Sequence, residues 1–406
     1  MSLLDTVSTW FHGRKNYGPI QLVIIQPTTF CNLNCSYCYL PDRHLKHEFS
    51  LDLLEPIFTH LFQSQFLDSE FTVVWHAGEP LTMPVKFYQT TFEKIEQLNQ
   101  NSPMGLRLIT HAIQTNATLI NDQWCDLIKT YGIRIGVSLD GPEFLHDAYR
   151  LTRRGLGSYK YTMRGVRLLQ QHNIPFHVIA VLTRDGLDYP DELFQFFVDQ
   201  NIQQVGFNID EMEGTHQASS LSSDDSAQKY KAFMIRMLAL TKENPGVLQI
   251  RELEETKQSI LGKTNIQRGQ FTPFTMLNIA YNGDFSTFSP ELLSMDSEVY
   301  GDFILGNIVN QSFDKVCQTP KFKHMNRDIQ AGVSLCKKTC EYFSVCGGGA
   351  PSNKYFENGS FNSSETMYCK YTKKILTDIV LADLEETFAI QVPSSAPSME
   401  KSKATV

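Results

Sequence analysis

The sequence predicts an α/β chain: an open (β/α)6 partial barrel followed by a smaller, cysteine-rich carboxyl-terminal domain. Three observations carry that expectation. Between Leu22 and Asp210 short apolar runs alternate with longer amphipathic stretches, the pattern of a parallel sheet with crossover helices outside. Only six such strands can be counted, too few to close an eight-stranded barrel. Three cysteines crowd the loop behind the first strand, and four more fall beyond Ser334.

The expected strands are residues 22–26, 71–76, 106–114, 133–139, 175–182 and 203–209, each an apolar run bounded by polar or turn residues. Between them, helical periodicity marks residues 51–62, 86–98, 122–130, 159–171 and 190–200. Residues 213–232 are polar and Ser-rich and read as a linker. Residues 229–261 form a charged helix bridging two domains. From Phe271 turns and cysteines dominate, up to an amphipathic helix near 371–388. The expected units are an extension (1–20), a core (21–212), a linker with its helix (213–270), an auxiliary domain (271–388) and a disordered tail (389–406), the last rich in Ser, Pro and Lys.

Composition excludes several classes. At 406 residues the chain suits two domains, and its 42% hydrophobic and 20% charged residues are those of a globular enzyme. A net charge of −8 argues against nucleic acid as a partner, because phosphate contacts call for a basic face. No apolar run approaches the roughly 18 residues of a membrane span. Met1-Ser2-Leu3-Leu4-Asp5 lacks the character of a signal peptide. Nine cysteines without a secretion signal imply a reducing cytoplasm and metal binding rather than disulfides.

Cys31, Cys35 and Cys38 stand at i, i+4 and i+7 directly after the first strand. Thiolates are soft ligands suited to iron–sulfur clusters. A four-iron cluster needs four ligands, so three leave one iron open to a small molecule. A structural zinc site would want a fourth protein ligand. This C-x3-C-x2-C loop resembles the radical S-adenosylmethionine (SAM) enzymes. The resemblance implies that SAM chelates the open iron of a 4Fe-4S cluster. An electron from a low-potential donor, flavodoxin or ferredoxin, then releases a 5′-deoxyadenosyl radical that abstracts a substrate hydrogen.

Other segments extend the resemblance. His76-Ala77-Gly78-Glu79-Pro80 is similar to the family's GGEP motif, which contacts the methionine amino group. Ala77 replaces its first glycine and should avoid positive φ, altering the turn. Gln114-Thr115-Asn116 and Ser138-Leu139-Asp140-Gly141-Pro142 end the third and fourth strands. The resemblance places Gln114, Thr115, Asn116, Ser138 and Asp140 around SAM and substrate, although Asp-Gly-Pro is also a good turn by itself. Arg150 pairs either with the carboxylate of SAM or with Asp147. Tyr37 and Tyr39 flank the last cysteine, where an aromatic stacks on adenine or simply packs the loop. Asp140, Glu79 and Asp210 are candidate general bases by location alone.

The second set, Cys336, Cys340, Cys346 and Cys369, supplies four thiolates, enough for a cluster with no open iron or for a structural zinc. With Cys346-Gly347-Gly348-Gly349-Ala350, Ala280-Tyr281-Asn282-Gly283-Asp284 and Leu305-Gly306-Asn307, it resembles the SPASM domain of peptide-modifying radical SAM enzymes. Members with two auxiliary clusters carry further cysteines where this chain has Phe288-Ser289-Pro290 and Ala350, so one auxiliary 4Fe-4S cluster is expected. Cys125 and Cys317 are expected as buried thiols. The run from Cys346 to Phe361, with Glu365-Thr366-Met367-Tyr368-Cys369, is similar to the maturases of glycine-rich-repeat peptides. The resemblance implies a ribosomally made precursor peptide with Gly-rich repeats as partner. It also implies β-hydrogen abstraction and a carbon–carbon cyclophane crosslink. Thioether formation, formylglycine formation in sulfatases and simple electron transfer stay open as alternatives. An aromatic, Gly-containing hairpin at 352–361 is the expected edge on which the peptide adds a strand.

Overall fold

The computed structural model describes residues 17–264, 269–293 and 295–391. Its first half alternates as expected: β1 (Ile20–Ile25), α1 (Leu54–Gln63), β2 (Leu67–Trp75), α2 (Val85–Gln100), β3 (Leu108–Thr115), α3 (Asp122–Tyr131), β4 (Arg134–Ser138), α4 (Glu143–Tyr149), α5 (Tyr159–Gln171), β5 (Phe176–Leu182), α6 (Pro190–Asp199) and β6 (Gln204–Ile209). The six strands lie parallel and in sequence order, β1 against β2 through to β5 against β6. Each helix turns one apolar stripe to the sheet: Ile57, Phe58, Leu61 and Phe62 of α1 are buried with Phe71, Val73 and Trp75 of β2. Trp75 meets Phe87, Tyr88 and Phe92 of α2 edge-on, with centroids 5.5–6.3 Å apart.

Three elements differ from expectation. The long bridging helix is two helices, α7 (Ser226–Glu243) and α8 (Arg251–Ile260), with β7 (Gln249–Ile250) between them. Asn244-Pro245-Gly246 breaks the run, because proline has no N–H to donate and its ring clashes with the preceding turn. β7 extends the sheet beyond β6. The boundary with the second half is also crossed by the sheet. β8 (Met276–Ile279) lies parallel to β1, followed by antiparallel β9 (Asp284–Thr287), while β10 (Asp296–Ser297) and β11 (Gly301–Asp302) form a separate ribbon and β12 (Gly306–Asn307) closes the edge. One ten-stranded sheet therefore runs from β12 to β7.

The rest is helical: α9 (Phe313–Val316), α10 (Pro320–Thr339), α11 (Phe343–Cys346), α12 (Pro351–Asn358), α13 (Met367–Cys369) and α14 (Leu376–Gln391). The hairpin expected at 352–361 is thus α12, and Phe361 is fully buried among Tyr300, Phe303 and Tyr355. No strand edge is offered there, so strand addition at that place is ruled out. Cys125 on α3 and Cys317 after α9 are both buried. Among the described residues no helix is long and apolar enough to cross a membrane. The expected tail lies almost wholly outside the described residues, as does most of the extension.

Candidate active site

The carboxyl ends of parallel strands place loops on one face of the sheet, and the cysteine loop after β1 is held there by many main-chain bonds. The Cys31 N–H donates to Arg43 O at 3.1 Å, Asn34 N–H to Leu151 O at 2.7 Å and Ser36 N–H to Tyr149 O at 3.0 Å. Arg153 Nε donates to Cys31 O at 2.8 Å and Arg43 to Cys35 O at 2.8 Å. Leu33 N–H points at Cys31 Sγ, 3.4 Å away. The β8–β9 hairpin supports the same loop, with Tyr281 stacked on His47 at 4.9 Å.

Burial pushes the Cys31 thiol up to about 12, aided by the Glu79 carboxylate, and the Cys35 thiol up to about 11. Such thiols are poor free nucleophiles. A bound cationic metal removes their protons outright, so this donor set fits a cluster better than thiol chemistry.

The segment after β2 lies against the loop. Glu79 N–H donates to Phe30 O at 2.8 Å. A Cβ on Gly78 would fall 2.3 Å from Thr28 O, and φ there is +71°. Ala77 also adopts a positive φ, 70°. The expected change of turn does not occur: the sheet and loop hold alanine in the glycine conformation. Glu79 is buried, its carboxylate accepting from Thr115 Oγ1 at 2.7 Å, Asn116 N–H at 2.9 Å and Leu81 N–H at 3.0 Å. It ties the ends of β2 and β3 together. Asn116 Nδ2 donates to Asn32 Oδ1 at 2.9 Å, joining β3 to the cysteine loop. Gln114 donates to Ser138 Oγ at 3.0 Å.

Asp140 organises the fourth corner. Arg150 grips both its oxygens at 2.9 Å, Val181 N–H donates to Oδ1 at 2.8 Å and Tyr37 OH to Oδ2 at 2.5 Å. Arg150 therefore pairs with Asp140 and not with Asp147, whose Oδ1 accepts from Tyr159 N–H. The Arg150 guanidinium lies 5.4 Å from the Tyr37 ring, which stacks on Tyr149 at 5.9 Å. Burial holds His146 near 4, so its neutral ring bridges Asp140 N–H and Ser158 Oγ.

Asp210, a candidate base from the sequence, is joined here by groups that the sequence did not single out: His216, Glu211, Glu213 and Glu291. Asp210, at the end of β6, accepts from Ser220 N–H at 2.8 Å and faces His216 Nε2 at 2.8 Å. Glu211 and Glu213 share Asn353 Nδ2, at 2.7 and 3.4 Å. Burial pushes Glu211 up to about 8, Glu291 up to about 7 and Glu213 well up. This segment touches the cysteine loop, Thr215 N–H donating to Tyr39 O at 3.0 Å. Its polarity made it look like a linker, and only the fold brings it to the site.

Cys336, Cys340, Cys346 and Cys369 line one cavity of about 580 Å³, counting its open mouth, together with Gly348, Gly349 and Lys354. Among the described residues no three Cys, His, Asp or Glu side chains close on a single-ion point. Thr366 N–H donates to Cys369 Sγ at 3.3 Å. Four thiols and hydrogen-bond donors around a hollow suit an iron–sulfur core. Phe288 and Ala350 stand where the resemblance places the thiols of a second auxiliary set.

Comparison with known proteins identifies the family and the fold. The family model of the radical SAM superfamily matches residues 25–197. An uncharacterised protein of Synechocystis sp. is 47% identical over 92% of this chain and 94% of its own length. A serine-type anaerobic sulfatase-maturating enzyme of Bacteroides thetaiotaomicron is 25% identical over 87% of each chain. The fold is that of native anSMEcpe solved with bound AdoMet and Cp18Cys peptide, with TM-score 0.73, 20% identity and coverage of 92% of this chain and 100% of that one. Streptococcus suis SuiB bound to precursor peptide SuiA gives TM-score 0.61 at 14% identity, covering 89% of this chain and 78% of that one. The chain belongs to the radical SAM superfamily, and it is an enzyme whose cofactors are SAM and a 4Fe-4S cluster.

Proposed function

We propose that this enzyme modifies a ribosomally made precursor peptide, joining an aromatic ring carbon to the β-carbon of a nearby residue in a cyclophane crosslink. The observation that carries the reading is the carboxyl-terminal site. Four thiols ring one cavity, while Phe288 and Ala350 replace the thiols of a second set. The glycine-rich-repeat peptide maturases resemble this chain at the same place. Structures of anSMEcpe and SuiB with bound peptides support a peptide as substrate.

When bound, SAM and its cluster supply a 5′-deoxyadenosyl radical that takes a hydrogen from substrate. Cys31, Cys35 and Cys38 hold that cluster. Ala77, Gly78, Glu79, Pro80, Gln114, Thr115, Asn116 and Ser138 shape the SAM pocket from the ends of β2, β3 and β4. Tyr37, Asp140 and Arg150 fix the loop that carries the thiols. Asp140 and Glu79 are saturated with donors, which leaves the Asp210–His216 pair, 2.8 Å apart, as the candidate acceptor of the proton leaving the arene. Cys336, Cys340, Cys346 and Cys369 would hold the auxiliary cluster, which would supply one-electron redox chemistry. In this reading residues 21–212 form the radical-generating core and 271–388 the auxiliary unit, working in a reducing cytoplasm with a flavodoxin or ferredoxin as electron donor.

A second reading, formylglycine formation in a sulfatase, is favoured by the likeness to the Bacteroides thetaiotaomicron enzyme. Anaerobically reconstituted protein should be incubated with SAM, dithionite and either a Gly-rich peptide with spaced aromatics or a sulfatase peptide. Crosslinking removes two hydrogens, and fragmentation then finds no cleavage between the joined residues. Turnover of the sulfatase peptide alone would replace the first reading by the second.

A further inference from the structure

Lys354 is the side chain at the carboxyl-terminal site that the proposed function leaves without a role. It lies on α12 and is only 4% exposed. Its Nζ stands 3.3 Å from Cys336 Sγ. Gly332 leaves part of the room it occupies: a Cβ there would fall 3.2 Å from Nζ. Other charges line the cavity, but differently. Lys374 is paired with Glu365 and lies over the Tyr342 ring, and Lys373 completes the rim. An ammonium is costly to bury without a compensating charge. The carboxylates at this cavity do not meet Lys354: Glu365 is taken by Lys374. The Cys336 sulfur, 3.3 Å away, can supply that charge when it ligates a cluster.

We propose that Lys354 is a positioning residue for the auxiliary cluster: it pairs with the Cys336 thiolate and raises the cluster's reduction potential. The inference rests on the reading that these four cysteines hold an iron–sulfur cluster. Its physics is simple. Reduction adds one electron and makes the core and its thiolates more negative, so a fixed cation at one ligand stabilises the reduced state. Charge and hydrogen bonds at the sulfurs are among the known determinants of cluster potential. In a crosslinking reaction that shift favours transfer of the surplus electron from the substrate-derived radical to the auxiliary site.

The test uses the full chain with Cys31, Cys35 and Cys38 all changed to alanine, so that only the second site can be loaded. After anaerobic reconstitution, titration with dithionite followed by electron paramagnetic resonance gives the reduced-to-oxidised ratio at each potential. Lys354→Met should lower that ratio at least tenfold at fixed potential, about 59 mV for a one-electron couple. Lys354→Gln, neutral but still a donor, should do the same, while Lys354→Arg should stay within threefold of the parent. Unchanged ratios in both neutral variants at full iron content overturn the proposal. If the neutral variants lose iron and the arginine variant keeps it, the charge pairing is supported. Equal loss from all three overturns it. A parent protein that binds no iron at this site overturns the auxiliary-cluster reading itself, an outcome distinct from a cluster whose potential ignores the side chain.

Discussion

Asp140 shows how much one carboxylate can hold at the residue scale. It is 6% exposed, accepts from Arg150, Tyr37 and Val181, and so couples β4, β5 and the cysteine loop. Asp140→Asn keeps the shape but leaves a buried guanidinium without its counter-charge. The expected loss is about 3–5 kcal/mol, read from anaerobic urea unfolding; a loss under about 1 kcal/mol would contradict a structural role. Gly78 is limited by space as well as by φ, since a Cβ would meet Thr28 O at 2.3 Å and Phe30 O at 2.8 Å. Gly78→Ala must push the cysteine loop outward. A displacement of that order costs roughly 100-fold in rate, so 5′-deoxyadenosine production should fall by about that factor while iron bound at the second cysteine set is retained. The partner of Arg150 was not legible in the sequence. Asp147 is near in the chain, but only the packing of α4 against β4 brings Asp140 within reach.

Elements carry a different lesson, clearest in the segment from Glu211 to Ser222. Its polar composition suggested a linker, yet it folds over the sheet end. Glu213 and His216 close a tight turn there, and Glu211 and Glu213 share Asn353 of α12. These carboxyls hold protons in the folded state at pH values where the unfolded chain has released them. Raised carboxyl values mean that the folded state binds more protons between roughly pH 4.5 and 8, so stability falls as pH rises through that window. Glu211→Gln removes that residue's own share of the effect. Its Tm should exceed that of the parent by a few degrees at pH 8, with the gap closing by pH 5; a gap independent of pH would count against a raised Glu211 carboxyl. Helices and strands of the first half were legible because each buries one face and repeats at its own period. The break at Pro245 was visible too, but the charged run on either side masked it.

At the scale of the whole molecule the two thiol sets are independent sites on one continuous sheet and its helical cover. Full anaerobic reconstitution should load about eight irons per chain. Cys369→Ala should bring that to about four while leaving SAM cleavage to 5′-deoxyadenosine intact, whereas Cys35→Ala should abolish cleavage at a similar iron content. A parent value near four would remove the second cluster from the picture. The sequence by itself determined the alternating α/β core, its strand order and the three-thiol loop, because periodicity and close spacing act over a few residues and survive without neighbours. Tertiary structure alone decided the rest. It joined β8 to β1 and made the expected hairpin a helix. It held Ala77 at positive φ, set Asp210 against His216 and led Lys354 to Cys336. Each of these depends on contact between segments distant in the chain, where packing and the pairing of buried charge outweigh local preference.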